Sequence, residues 1–316
     1  MVYIIAEVGG NHDGSLELAK LLIRSAKEAG CDAVKFQTYE AEKLVHPDAK
    51  ALPQAIGYEK QTDRFKDLQF TDEQWQDLID ECRRQNIDFL TTCFDLDSLK
   101  KYAPYMKAIK IASGDLTYER LLRAASECGK PVILSTGMSN IDEIKNAASF
   151  FNPELLTVLH CVSVYPCPDE HANLGVISGL QGLFSSVGYS DHTQGITAAL
   201  VAAGMGCNVI EKHFTHDSSL PYGDHSLSVE PEDMAALVHN VRRIEKMMGD
   251  RKPDLIEMDN RHRMRRGAYA ARDIKLGQVI SEDDILCLRP RNRVRPGDIV
   301  GKRARQDFKR LDSLDG

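Results

Sequence analysis

Eight short apolar runs rich in β-branched residues alternate with helical stretches along the first 215 residues. The runs are VYIIAEV from Val2, AVKFQT from Ala33, IDFLTTCF from Ile87, AIKIAS from Ala108, VILST from Val132, LLTVLHCV from Leu155, SVGYSD from Ser186 and VIEKHFT from Val209. Between them lie stretches such as SLELAKLLIRSAKEAG from Ser15, DEQWQDLIDECRRQN from Asp72 and ITAALVAAGMG from Ile196. Gly30, Gly129 and Gly206 follow helical patterns, where a left-handed cap is favoured. A last helix, PEDMAALVHNVRRIEKMMG, begins with Pro231 in its first turn. Eight strand–helix alternations in roughly 250 residues predict an α/β chain built on a (β/α)8 TIM barrel.

From Arg263 the pattern changes. RRGAYAARDIKLGQVISEDDILCLRP reads as short strands and turns without a long helix. The expected domains are therefore a barrel over 1–251, a polar linker over 252–262 that contains Pro253, and a small domain over 263–316. So short a domain is marginal alone, which points to docking on a barrel or on another subunit. Two connections are long: Glu40 to Phe70 after the second strand, and Ser163 to Asn173 after the sixth. Loops after strands form the catalytic face of such a barrel, and long loops are commonly functional.

Charge is unevenly divided. The chain carries −7 overall, but residues 261–316 hold 15 Lys/Arg against 8 Asp/Glu, leaving −14 on residues 1–260. Nine of the 22 residues from Arg289 to Arg310 are basic, which suits an anionic ligand or an acidic partner surface. The run has neither interleaved aromatics nor a helix-turn-helix or zinc module, so nucleic acid is not expected as a partner. No apolar run approaches the ~18 residues of a membrane span, and no basic leader precedes the first strand, so no membrane partner is expected. The eight cysteines include no CxxC pair; they read as reduced, buried thiols of a cytoplasmic enzyme.

Polar residues at strand ends carry the chemistry. Glu7 ends the first strand, and Lys35 and Gln37 share a face of the second. Lys110 lies in the fourth strand, with Ser113 and Asp115 just beyond; Ser135 and Thr136 end the fifth. Ser190 and His192 share a face at the end of the seventh, Glu211 and His213 in the eighth. Burying such charges costs several kcal/mol unless they are paired or bind something. Two imidazoles on adjacent strands suit a divalent metal with open positions, and Asp191 and Asp224 are acids that could support it. A zinc hydrolase barrel would want an HxH pair on the first strand, where this chain has Asn11-His12. Lys35, Lys110, the hydroxyls of Ser113, Ser135 and Ser190, and the amides near Gly114 and Gly137 form an anion cradle for phosphate or carboxylate.

These residues sit in stretches that resemble the sialic acid (N-acetylneuraminate) synthase family: IIAEVGGNHDGSLELAKLLIRSAKEAGCDAVKFQT, IKIASGD, KPVILSTGMS, LHCVSVYPCP, GYSDHTQGITAALVAAGMGCNVIEKHFT and GDHSLSVEP. The family includes legionaminic and pseudaminic acid synthases and spore-coat polysaccharide synthases. The segment from Arg265 resembles the start of its antifreeze-like (SAF) domain. The resemblance implies a transferase that condenses phosphoenolpyruvate with an open-chain N-acylated hexose such as N-acetylmannosamine. The product is a nine-carbon 2-keto-3-deoxy acid plus phosphate. It implies Mn2+ or Mg2+ on His192 and His213, and phosphoenolpyruvate on Lys35, Lys110, Ser113, Ser135 and Ser190. Sugar contacts fall on Glu7, Gln37, Tyr165 and Asp224; Thr92 and Ser163 are counted with the substrate contacts. Arg289 would reach the acyl group from the partner subunit in a domain-swapped homodimer. Glu7, Lys110 and Asp115 are the expected catalytic residues, Asp115 managing the protons of the water that adds at C2.

The chain departs from the family pattern in three places. Asp115 stands where some members have Glu, and Ser163 where many have Asn. The tail ends in KRLDSLDG without a recognisable closing strand, so the SAF domain is expected to be truncated or divergent. The alternatives are another phosphoenolpyruvate-condensing or aldol barrel, and a catalytically silent sugar-binding homologue.

Overall fold

The computed structural model describes residues 1–52, 55–249 and 256–315. Eight strands close into one parallel barrel in sequence order. They are β1 (Tyr3–Gly9), β2 (Ala33–Thr38), β3 (Asp88–Cys93), β4 (Ile109–Ile111), β5 (Val132–Ser135), β6 (Leu156–Cys161), β7 (Val187–Asp191) and β8 (Val209–His213). Pairing of β1 with β8 sets Glu7 level with His213, and pairing with β2 sets Glu7 level with Lys35. The expected (β/α)8 architecture is thus the one observed.

The helices of this unit are α1 (Leu16–Glu28), α2 (Ala41–Leu44), α3 (Gln61–Leu68), α4 (Asp72–Gln85), α5 (Leu96–Tyr102), α6 (Glu119–Glu127), α7 (Ile141–Ala148), α8 (Val176–Gln181), α9 (Thr197–Gly204) and α10 (Pro231–Met248). Their starts follow from local chemistry. Ser15 caps α1 by accepting from the Leu18 amide at 3.2 Å, and Thr71 and Gln74 form a reciprocal capping box on α4. Asn86 ends α4 in the left-handed region at φ 51°. Helix α1 buries Ala19, Leu22, Ile23 and Ala26, the single stripe that 3.6-residue periodicity allows. Each fully buried Leu or Ile contributes roughly 1.5–3 kcal/mol. With helices outside and side chains inside, the strands are buried on both faces, so they read as apolar runs rather than alternating ones. The long connection after β2 is not bare loop: α2 and α3 lie within it.

The chain divides into two compact units, Met1–Met248 and Gly249–Gly316. Of the expected linker, residues 252–255 lie outside the described residues. Residues 256–262, read from sequence as linker, instead belong to helix α11 (Ile256–Met264). The second unit continues with β9 (Gly267–Ala270) and β10 (Ile285–Leu288), which pair antiparallel. Its core gathers Ala268, Ala270, Ile274, Ile280, Ile299, Ala304, Phe308 and Leu314. No strand follows β10 among the described residues. The tail instead closes through isolated bridges, Val279 with Arg303, Ile274 with Phe308 and Tyr269 with Ser313. Periodicity could not show that closure, because isolated bridges leave no alternating pattern. No helix among the described residues is long and apolar enough to cross a membrane.

Candidate active site at the carboxyl ends of the barrel strands

Strand parity brings the expected residues of the first unit to one end of the barrel. Lys35 Nζ lies 2.7 Å from Glu7 Oε2, 3.8 Å from Glu211 Oε2 and 3.1 Å from Thr92 Oγ1. Lys110 Nζ donates to Ser135 Oγ at 2.6 Å and to the Ile111 carbonyl at 3.1 Å, and lies 3.9 Å from Glu211 Oε1. Ser190 Oγ donates to Glu211 Oε1 at 3.0 Å, and Gln37 Nε2 donates to Glu7 Oε1 at 3.2 Å. Two ammoniums and two carboxylates therefore share one buried network, with Glu211 between the lysines. Burial opposes ionisation of Glu211, but Lys110 and Lys35 outweigh it and lower its pKa. Burial dominates at Glu7 and pushes it up to about 7. Lys110 is lowered, chiefly by burial.

Hydroxyls converge beside the lysines. Ser113 Oγ accepts from the Gly137 amide at 2.9 Å. A Cβ on Gly137 would collide with Ser113 and Ser163, so this close approach requires glycine. Ser163 Oγ is buried without a partner among the described residues. Asp115 ends a short 3-10 turn, Ser113–Asp115. Its Oδ2 is also buried and unpartnered, and burial pushes its pKa up to about 6 against the pull of Lys110.

The rings of His192 and His213 lie 5.2 Å apart, and the Tyr165 ring is 4.1 Å from His192. His192 Nδ1 donates to the Val162 carbonyl at 2.7 Å, which leaves Nε2 with its lone pair. His213 Nδ1 is buried without a hydrogen bond, 3.9 Å from Asp224 Oδ2. Burial, with the nearby lysines, holds His213 well below the ordinary imidazole range and so neutral, the state a metal needs. These two imidazoles fit a divalent ion. Among the described residues no group of three or more His, Cys, Asp or Glu is gathered around one metal position. Remaining ligands would come from substrate or water.

Asp191 is not part of this site. Its carboxylate pairs with Lys212 at 3.1 Å and accepts from Tyr189, on the opposite face of β7 from Ser190. Alternation along the strand, not adjacency to His192, decides its side. Asp224 does lie at the site, its pKa raised by burial. Arg289 belongs to the second unit, where it is exposed just after β10.

Two residues at this end of the barrel gain their weight only from the structure: Glu211 and Cys161. Glu211 stood in the strand-end set without a role, yet it links both lysines. Cys161 passed as a core thiol, but its Sγ lies 3.9 Å from His192 Nδ1. Burial raises this thiol, and His192, Ser113 and Lys110 together bring it below its ordinary value. Its position at the end of the sixth apolar run, where the other runs carry their polar site residues, was the available signal.

Comparison with known proteins agrees with this geometry. The NeuB family model matches residues 22–253, and the SAF domain model matches residues 265–314. The chain is 37% identical to the N,N'-diacetyllegionaminic acid synthase of Campylobacter jejuni, over 97% of this chain and 96% of that one. It is 35% identical to the spore coat polysaccharide biosynthesis protein SpsE of Bacillus subtilis, over 92% and 84%. The solved N-acetylneuraminic acid synthetase of Leptospira borgpetersenii superposes with a TM-score of 0.74 at 35% identity, covering 82% of this chain and 90% of that one. The chain belongs to the NeuB family of sialic-acid-type synthases and carries that family's barrel followed by a SAF domain.

Proposed function

We propose that the chain is a transferase that condenses phosphoenolpyruvate with an open-chain N-acylated hexose, forming a nine-carbon 2-keto-3-deoxy acid and releasing phosphate. The observation that carries this reading is the buried Lys35–Glu211–Lys110 network beside the His192–His213 pair at one barrel end. Phosphoenolpyruvate is a small, highly anionic molecule. Lys35 and Lys110 would hold its carboxylate and phosphate, with the hydroxyls of Ser113, Ser135, Ser190 and Thr92 completing the cradle. Glu7, Gln37, Ser163, Tyr165 and Asp224 would orient the sugar so that its aldehyde carbon meets C3 of phosphoenolpyruvate. Attack forms the C–C bond, breaks the C=C and C=O π bonds, and leaves positive charge at C2 and an alkoxide on the former aldehyde carbon, which takes up a proton equivalent to the one the added water gives up. Water adds at C2, and Asp115 removes its proton. Collapse of the resulting tetrahedral centre expels phosphate and leaves the keto acid. A divalent ion such as Mn2+ or Mg2+, held by His192 and His213, would supply Lewis-acid polarisation of the aldehyde.

We place the reaction in the cytoplasm, a reading supported by eight unpaired cysteines. We also propose a homodimer in which the basic second unit offers Arg289 to the partner's sugar. The charges of +7 on residues 261–316 and −14 on the rest support such docking. Arg289→Ala should then weaken sugar binding. Mixing a chain deleted after residue 259 with a His213→Ala chain should restore activity. Unaltered kinetics in the deleted chain would leave the basic residues as surface charge.

The deciding experiment is phosphate release from phosphoenolpyruvate across a panel of sugars, with the keto acid identified by mass. Release with N-acetylmannosamine or a related acetamido sugar supports the reading. Release only with a different aldehyde assigns another condensing barrel. No release with any aldehyde assigns a silent sugar-binding homologue.

A further inference from the structure

The second unit gathers arginines around one cavity. Arg261 in the last turn of α11, Arg265 and Arg266 on the way into β9, and Arg291 and Arg295 after β10 line a pocket of about 420 Å3. No carboxylate, aromatic or aliphatic side chain shares that lining among the described residues. The volume lies within the roughly 300–1,000 Å3 of small-molecule sites.

Backbone bonds hold the arginine-bearing segments together. The Arg265 amide donates to the Arg261 carbonyl at 3.2 Å, and the Arg291 amide donates to the His262 carbonyl at 2.9 Å. The stretch after β10 is thereby pinned to the end of α11. Asn292 Oδ1 accepts from the Ala268 amide at 3.1 Å, and a Cβ on Gly267 would strike Asn292. The pocket is thus formed before any ligand arrives.

Of the five arginines, Arg295 alone has an ion-pair partner among the described residues, Asp298 at 3.2 Å. Arg261 Nε is buried without a hydrogen bond, and a buried donor is costly to leave unpaired. Basic side chains near a helix C-terminus complement its dipole, which accounts for charge at Arg261. It accounts neither for the buried, unpartnered Nε nor for Arg291 arriving from the far side.

Charge and shape select the occupant. A guanidinium only donates, and its planar fork matches phosphate oxygens. Four uncompensated cations around one cavity call for several negative charges in a small volume. Neutral hydroxyls would compensate none of them, and a single carboxylate would leave most uncompensated. A nucleic-acid strand is held along a groove with aromatic platforms for its bases, whereas these arginines converge on one cavity without an aromatic lining. An acidic protein surface could meet the exposed Arg265 and Arg266, but the buried Arg261 Nε lies deeper than such a surface reaches.

We propose that this pocket is a binding site for a linear polyphosphate group, a chain of two or three phosphates held by Arg261, Arg265, Arg266 and Arg291. Free polyphosphate and the phosphate chain of a nucleotide share that chemistry. Arg289 is not in the lining, so the site is separate from the sugar contact proposed above and does not depend on the synthase reading.

The test is calorimetric titration of the full-length chain with tripolyphosphate at about 0.15 M ionic strength. Wild type should bind one tripolyphosphate per chain, more tightly than pyrophosphate and much more tightly than phosphate. Arg261→Gln and Arg291→Gln should each weaken binding roughly 10- to 150-fold. The exposed pair Arg265→Gln with Arg266→Gln should weaken it too, and keeps the test open if either of the others fails to fold. Binding should persist under saturating phosphoenolpyruvate and in Lys110→Met. Adenosine triphosphate binding as tightly as tripolyphosphate assigns nucleotides as the source, and weaker binding assigns free polyphosphate; both support the site. Absence of saturable binding, many weak sites per chain, or unchanged affinity in every arginine variant would overturn the proposal. Displacement by phosphoenolpyruvate, or loss in Lys110→Met, would overturn it by moving the anion to the barrel. Arginine variants that dissociate a dimer in sedimentation while tripolyphosphate affinity stays unchanged would overturn it in favour of docking on an acidic partner.

Discussion

Replacing Lys110 by Met separates binding chemistry from folding. Lys110 is buried and bonds to Ser135 at 2.6 Å, with Glu211 at 3.9 Å. A charge-assisted hydrogen bond to an anionic substrate is worth roughly 1.5–3 kcal/mol. At 1.4 kcal/mol per factor of ten, Lys110→Met should raise the KM for phosphoenolpyruvate roughly 10- to 150-fold. The same change takes one counter-charge from Glu211, and breaking a buried pair outright costs about 3–5 kcal/mol. Glu211 keeps Lys35 at 3.8 Å and Ser190 at 3.0 Å, so the stability loss should fall below that range. A double variant, Lys110→Met with Glu211→Gln, removes both charges. It should regain much of the lost melting temperature without regaining phosphoenolpyruvate affinity. Phosphate release at saturating sugar gives the KM, and thermal unfolding gives the stability. A folded Lys110→Met protein with unchanged KM would falsify the cradle, as would recovery of affinity in the double variant.

Further changes probe the rest of the barrel. His192→Ala and His213→Ala should each abolish stoichiometric metal binding, read by elemental analysis, and cut turnover by orders of magnitude. Wild type should lose activity in EDTA and recover it with manganese; full activity after exhaustive chelation would count against the ion. Asp115→Asn should remove an acidic limb near pH 6 from the pH profile of kcat/KM, since a base raised to about 6 is lost as pH falls through that value. The folded pKa is above the ordinary 3.8, so the folded state binds the proton more tightly and stability falls as pH rises from about 4 to 6. Asp115→Asn should therefore melt higher than wild type at pH 8, and an equal or lower melting temperature would contradict the buried, unpartnered carboxylate. Lys212→Met strands Asp191 inside the protein and should cost about 3–5 kcal/mol, whereas adding Asp191→Asn should recover part of it; a melting temperature unchanged by Lys212→Met would refute the pair's structural role.

The barrel was legible because parallel strands covered by helices leave long apolar runs, and eight such runs with helical spacers have few other solutions. The second unit was much less so. Its core residues Ile274, Ile280, Ile299, Ala304, Phe308 and Leu314 are scattered over forty-odd positions of turns, linked by single bridges. Neither a period of two nor one of 3.6 marks such a chain. Helix α11 was hidden for a related reason: its polar sequence, IEMDNRHRM, presents no apolar stripe to announce it.

At the catalytic end, parity succeeded where adjacency misled. Lys35, Gln37, Ser190, His192, Glu211 and His213 follow from alternation along single strands. Asp191 failed because it neighbours His192 in sequence but faces the other way, toward Lys212. The same rule shows why both strands carry polar groups on both faces. Inward residues Ser190 and Glu211 join the lysine network, and outward residues Asp191 and Lys212 tie β7 to β8. Lys212 also donates to the Thr193 carbonyl, so the outward pair grips the chain on either side of His192. Two buried, oppositely facing ion networks on adjacent strands would be costly in a purely structural barrel. Here the outward one ties together the strands whose inward ends carry two imidazoles 5.2 Å apart, and on the proposed synthase reading the inward one would offer its cations to an anionic substrate.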